Sequence, residues 1–235
     1  MRIVIFGATG MVGQGVLRES LAASDVTQVT AVGRTRVAQE HPKLQQIVHA
    51  DLTNLQSWED QLQGFDACFF CLGVSSVGMG EDAYRRLTYD MTMAVAGVLA
   101  RLNAQMKFAY VSGAGTDSTE QGRSMWARVK GKTENDLQKL PFASVQLFRP
   151  GVIQPLHGIR SKTPRYQFFY SAIGPLLTLL RPFFPNAIVT TEDLAHAMLN
   201  GARFVTGPVV LEAADIARLA RGAAGGNIPG TKIVR

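Results

Sequence analysis

Cysteine is scarce in this chain: Cys68 and Cys71 are the only two among 235 residues. So few thiols exclude a disulfide framework and suit a reducing compartment, which reads as cytoplasmic. The two are spaced C-x-x-C, but Ala67-Cys68-Phe69-Phe70-Cys71-Leu72 has the composition of a buried strand. Strand residues three apart point to opposite faces. A redox C-x-x-C instead needs a helix N-terminus to lower a thiol pKa. The pair therefore reads as two small buried hydrophobes. Histidine is nearly as rare. His41, His49, His157 and His196 have no His, Cys or paired carboxylate at ligand spacing, so no metal site is expected.

Acidic residues are outnumbered, 18 against 24 Lys and Arg, for a net charge of +6. The basic residues are dispersed, without a run of five, and no RNA-binding aromatic signature or zinc-finger spacing occurs. No nucleic-acid partner is expected. A phosphate-rich ligand accounts more simply for the excess charge. Long apolar runs are also missing. The first, Ile3 to Phe6, is a strand's length and lacks the pattern of a signal peptide. The apolar segment 166–184 is broken by Gly174, Pro175, Arg181 and Pro182, so an unbroken membrane span is not expected. It could line a substrate pocket, dock peripherally on a membrane or another subunit, or pack in the core. His157, Arg160, Lys162 and Arg165 precede it. They either face an anionic substrate or form a solvated basic loop.

Hydrophobic content of 46% with 18% charged residues supports a sizeable core. Ile3 to Phe6 is continuously apolar and ends at Gly7, as a central parallel strand does. The pattern then predicts a helix from Met11 to Ala23 and strands over Val26–Val32 and Leu44–His49. A short helix is predicted over Leu55–Leu62, a strand over Asp66–Leu72 and a long helix over Asp82–Asn103. A strand over Lys107–Ser112, a helix over Ser124–Gln138 and a strand over Ala143–Phe148 follow. After a proline-punctuated stretch, Thr191–Ala202 reads as a helix with Thr190 or Thr191 as its N-cap. Strands alternating with helices predict an α/β fold with a doubly wound parallel sheet, the Rossmann fold, plus a small C-terminal substrate-side region. The chain reads as one domain over 1–235, with a substrate-side lid at 152–203 and a weakly packed tail at 222–235.

Ligands of such sheets bind at the carboxyl ends of the strands. Gly33-Arg34, Gly73, Ser112 and Arg149-Pro150-Gly151 all fall there. The loop Gly7-Ala8-Thr9-Gly10-Met11-Val12-Gly13 lies between the first strand and the first helix. Gly7 permits the turn, Gly10 lets backbone approach a pyrophosphate, and Gly13 lets helix pack on strand. The helix N-terminus offers free N–H donors to phosphate. At the end of the second strand, Gly33-Arg34-Thr35-Arg36 has no acid to accept from a ribose 2′-hydroxyl. An arginine there can pair with a 2′-phosphate, or Arg34 and Arg36 are solvated surface charges. The expected cofactor is NADP(H) rather than NAD(H).

These residues, with Ala50-Asp51-Leu52, Cys71-Leu72-Gly73, Val111-Ser112 and Phe148-Arg149-Pro150-Gly151, resemble the atypical short-chain dehydrogenases/reductases over roughly residues 1–203. The branch that looks most similar is the Tat-interacting-protein-type oxidoreductases and their bacterial epimerase-like relatives. The resemblance implies that Asp51 and Leu52 flank the adenine. It implies that Cys71, Leu72 and Gly73 pass the ribose, and that Pro150, Gly151 and Val152 border the nicotinamide. It also implies a catalytic Ser, Tyr and Lys, the last two as Y-x-x-x-K, one helical turn apart. Ser112 and Lys130 match, but Trp126 holds the tyrosine position. Indole N–H donates and does not titrate near neutral pH. Three readings stay open. The site reduces a small substrate with another donor, such as Tyr84, Tyr89, His157, Ser112 or water. It binds NADPH without turnover, as a sensor or interaction module. Or it carries out epimerase-type chemistry through bound nicotinamide.

Overall fold

The computed structural model describes residues 1–55, 57–159, 188–207 and 209–222. Strand β1 (Arg2–Phe6) is followed by helix α1 (Met11–Ala22), then β2 (Gln28–Gly33), β3 (Leu44–Val48) and β4 (Ala67–Phe70). Helix α2 (Glu81–Arg85) runs through a π-turn (Arg86–Asp90) into α3 (Met91–Leu102). Then come β5 (Lys107–Val111), α4 (Met125–Leu137), β6 (Ser144–Arg149), β7 (Val152–Gln154), β8 (Ile188–Thr190), α5 (Thr191–Phe204), β9 (Val209–Glu212) and α6 (Ala213–Ala220).

Seven strands form one parallel sheet in the order β3-β2-β1-β4-β5-β6-β9. Ile3, Val4, Ile5 and Phe6 are each fully buried, because β1 is covered on both faces. Ile3 and Ile5 pack with Val16, Leu17 and Leu21 of α1, Leu194 and Met198 of α5, and Ile216 of α6. Val4 and Phe6 pack with Val95, Ala96 and Leu99 of α3 and Leu137 of α4. The result is the expected three-layer, doubly wound arrangement. The order reverses between β1 and β4, which opens a crevice outside their carboxyl ends.

Cys68 and Cys71 lie against opposite sides of the sheet, one in each of these clusters. Burial pushes the Cys71 thiol up to about 12 and that of Cys68 well above its ordinary value. Neither forms a thiolate near neutral pH, in keeping with two packed hydrophobes.

Some elements differ from the sequence-based expectation. Leu55, Trp58 and Leu62 are all buried, so their helical spacing marks a real inward face, yet only Glu59–Leu62 closes, as a single 3₁₀ turn. Strand β9 and helix α6 were not expected. Val209, Val210 and Leu211 are too short an apolar run to stand out in the sequence. The small parallel pair β7–β8 was also unforeseen. Thr190, not Thr191, caps α5: its Oγ1 accepts from the Asp193 amide at 2.9 Å, and its own amide donates to the Asp193 carboxylate at 3.0 Å. The segment 166–184, the basic residues Arg160, Lys162 and Arg165, and all but the first residue of the 222–235 tail lie outside the described residues. Among the described residues, no helix is long and apolar enough to cross a membrane.

Candidate functional site

The glycine loop turns sharply out of β1. Gly7 has φ +86°, and a Cβ there would sit 2.9 Å from the backbone of Cys71 and Leu72. A Cβ on Gly13 would lie 2.1 Å from the Gly7 carbonyl oxygen, so α1 presses directly on the turn. Gly10 is different. Among the described residues, a Cβ there would come within 4 Å of the Gly7 oxygen alone, at 3.3 Å. Gly10 is the N-cap of α1, with no side-chain cap and no acid in the first turn. Among the described residues, the amides of Met11, Val12 and Gly13 therefore open onto a cradle with no side chain at Gly10 and no acid in the first turn. That is the fit a dinucleotide pyrophosphate requires.

The other loops converge on the same edge because every strand of the sheet runs parallel. Cys71 N–H donates to the Phe6 carbonyl at 2.9 Å, which brings Cys71-Leu72-Gly73 beside the glycine turn. Ser112 N–H donates to the Phe148 carbonyl at 2.7 Å and Ala114 N–H to that of Pro150 at 2.9 Å. These bonds join the loop after β5 to Pro150-Gly151-Val152. Leu52 is buried after β3, while Asp51 is exposed. Hydrogen bonds from the Thr53 hydroxyl and amide hold the Asp51 carboxyl below its ordinary pKa.

Beside the glycine loop lies a cleft of about 390 Å³. Thr9, Gln14, Arg18, Arg36 and His157 supply its polar wall, and Leu17, Val37 and Ile159 much of its apolar wall. Arg36 rather than Arg34 reaches this cleft, although both are exposed. Sequence reasoning did not single out Gln14, Arg18 or Val37. Their only signal was their place one to two turns into α1, or just after β2.

On the β5 side, Trp126 packs over the loop after Ser112. Its ring lies 4.0 Å from where a Gly113 Cβ would be and 3.6 Å from that of Gly115. Lys130, one turn further along α4, is half-buried, with Nζ 5.2 Å from the centroid of the Tyr110 ring. Burial pushes its ammonium down to about 8, against a smaller opposing pull from Glu134. Among the described residues Lys130 has no hydrogen-bond or ion-pair partner. The nearby carboxylate is already taken: buried Glu134 accepts from Arg149 Nε at 3.1 Å on both oxygens. Ser112 Oγ lies 3.0 Å from Thr116 Oγ1, which itself donates to the Gly113 carbonyl at 2.8 Å. The hydrogen between the two hydroxyls therefore comes from Ser112.

The other proton donors considered from sequence do not gather here. Tyr84 is 2% exposed. Tyr89 donates to Asp136 at 2.7 Å and lines a separate cavity of about 110 Å³ with Glu81, Arg85, Arg128 and Lys132. His157 pairs with Glu192 at 2.8 Å on the cleft beside α1.

A family model described as NAD(P)H-binding matches residues 7–139, more than half of the chain. The chain belongs to this NAD(P)H-binding family. Among curated relatives of this family member, HTATIP2 of Rattus norvegicus is 29% identical over 153 residues, covering 64% of this chain and 62% of that one. The mitochondrial protein FMP52 of Eremothecium gossypii is 27% identical over 156 residues, 65% of this chain and 66% of that one. The chain thus spans just under two thirds of the length of these relatives. Among solved structures, UDP-glucose 4-epimerase superposes with a TM-score of 0.67 at 16% identity, over 97% of this chain and 84% of that one. MoeE5 in complex with UDP-glucose and NAD gives 0.65 at 18% identity, over 90% and 75%. At these identities the likeness establishes the fold. The comparisons also correct the cytoplasmic reading: several relatives, the FMP52 proteins of Eremothecium gossypii, Scheffersomyces stipitis and Emericella nidulans among them, are named as mitochondrial. Scarce unpaired thiols suit any reducing compartment and do not distinguish one from another.

Proposed function

We propose that this chain is an NADP(H)-dependent oxidoreductase acting on a small, partly apolar carbonyl or enone substrate, within a single domain whose residues 152–203 form the substrate side. One observation carries the cofactor half of this reading. The end of β2 bears Arg34 and Arg36 and no carboxylate, and Arg36 lines the cleft next to Thr9. A guanidinium pairs with a 2′-phosphate, whereas NAD-preferring sites place an acid there.

In this reading the amides around Gly7, Thr9, Gly10, Met11, Val12 and Gly13 hold the pyrophosphate. Arg34 and Arg36 hold the 2′-phosphate, and Asp51 and Leu52 flank the adenine. Cys71, Leu72 and Gly73 pass the ribose, while Lys130 anchors the nicotinamide ribose. Pro150, Gly151 and Val152 border the nicotinamide. The bound cofactor would supply or accept hydride. Ser112 and Lys130 would orient the substrate oxygen. Trp126 at the usual tyrosine position favours a second reading, an NADPH-binding module without turnover.

Calorimetry tests the cofactor half. NADPH should bind at least about tenfold more tightly than NADH, a difference of about 1.4 kcal/mol. Arg36→Ala should remove most of that preference while leaving NADH affinity in place. Equal affinities in the unmodified protein would sink the claim.

A further inference from the structure

We propose that Lys130 is itself the proton donor at this site, its ammonium passing a proton directly to the substrate oxygen. This rests on the oxidoreductase reading above and goes beyond the ribose-holding role that the family resemblance implies.

Trp126 and Lys130 are four residues apart on α4, so they share a face. Trp126 of that face covers the loop after β5, and Lys130 reaches Tyr110, two residues before Ser112 on the same side of the strand. Every other titratable candidate is engaged elsewhere. Tyr84 is buried, Tyr89 is held by Asp136, and His157 is held by Glu192. The Ser112 hydrogen points to Thr116, and indole does not titrate.

Among the described residues, the groups around Lys130 give its ammonium no hydrogen bond and no ion pair. Tyr110 of β5 offers its ring face, and Tyr84 of α2 acts on Tyr110. Glu134 on α4 is ion-paired with Arg149 of β6 and exerts only a smaller pull on the lysine. Burial of this half-buried ammonium outweighs the pull of Glu134, which pushes its pKa down to about 8. That matches the driving force wanted of a general acid near neutral pH.

The step balances. The carbonyl carbon receives a hydride supplied by the reduced cofactor, and the C=O π pair moves to oxygen. The oxygen takes a proton from Lys130 as the N–H bond breaks with its pair left on nitrogen. The products are the alcohol, the oxidised cofactor and a neutral amine, which water reprotonates.

Two measurements decide it. First, the protein is reductively methylated with ¹³C-formaldehyde, and the Lys130 resonance is identified by its loss in Lys130→Arg. It should titrate near 8, well below an ordinary lysine. Titration together with ordinary lysines would overturn the assignment. Second, Lys130→Arg keeps a cation and its donors but cannot give up a proton. Its loss of NADPH affinity, read by calorimetry, should be far smaller than its loss of at least about a hundredfold in kcat on a panel of small aldehydes, ketones and enones. The unmodified protein should lose kcat as pH rises through about 8. Turnover in Lys130→Arg with an unchanged rate and pH profile would overturn the donor role and leave the oxidoreductase reading standing. An unmodified protein that binds NADPH but reduces nothing on the panel would sink the oxidoreductase reading, and the donor role with it.

Discussion

A methyl group added to Gly10 and one added to Gly13 meet very different surroundings. At Gly13 it would collide with the Gly7 carbonyl at 2.1 Å, a rigid backbone atom that cannot turn aside. Gly13→Ala should therefore weaken the fold itself, by about 1–3 kcal/mol in urea unfolding, the usual range for forced overpacking. At Gly10 the neighbour is a single oxygen at 3.3 Å, and the N-cap backbone, φ −78° and ψ 167°, suits any residue. Gly10→Val should cost no more than about 1 kcal/mol of stability, the price of a poor N-cap. Its side chain would nonetheless fill the cradle before the first amides of α1, so NADPH binding should fall by at least about a hundredfold. A folded Gly10→Val protein with unchanged NADPH affinity would remove the loop from the site. The glycine spacing in the sequence marks all three glycines alike. Only the packing separates Gly10, whose added side chain would meet little, from Gly7 and Gly13, which the turn requires.

Helix α4 works on three faces at once. Trp126 and Lys130 face the end of β5, Glu134 clamps Arg149 of β6, and Asp136 gathers Tyr89, Lys132 and Lys139. Burial raises the Asp136 pKa, but the hydrogen bonds from Lys139, Lys132 and Tyr89 outweigh it, so the carboxyl stays well below its ordinary 3.8. A folded-state pKa below the unfolded value stabilises the fold above that unfolded value, and the contribution is lost as pH falls toward the folded one. Asp136→Asn should thus cost about 1–2 kcal/mol near neutral pH, discounted because the lysine partners are exposed. The gap to the unmodified protein should hold above about pH 5 and shrink as pH drops from there to about 3. A gap constant over that range would refute the ionic origin. The helix itself was legible in the sequence, as were six of the seven strands of the main sheet, because apolar runs and helical spacing report burial directly. Glu134 and Arg149 were not legible as a pair. They lie 15 residues apart on different elements, and only the order of the sheet brings them together. The 3₁₀ turn at Glu59–Leu62 failed for the opposite reason: its inward face was real, but periodicity does not say how many turns close.

Over the whole molecule, a seven-stranded parallel sheet brings all its carboxyl ends to one edge, and the chain carries a net charge of +6. The two facts meet at the glycine loop, where Arg18 and Arg36 flank the cleft beside a helix N-terminus with no acid in its first turn. A ligand that binds only the folded state stabilises it by RT ln(1 + [L]/Kd). At equal saturating concentrations, a tenfold tighter Kd adds about 1.4 kcal/mol. For a chain of this length each kcal/mol raises the melting temperature by about 2–4 °C. NADPH should therefore raise the melting temperature about 3–6 °C more than NADH at the same concentration. The extra shift comes from a phosphate against exposed guanidinium groups, so salt should screen it. At about 0.5 M salt the NADPH advantage should narrow, while the shift common to both cofactors, held by backbone amides and apolar walls, should persist more fully. Arg36→Ala should reproduce the high-salt pattern at low salt. Equal shifts with the two cofactors at low salt would show that these arginines do not read the 2′-phosphate. A difference that salt leaves untouched would show that the discrimination comes from shape rather than from charge.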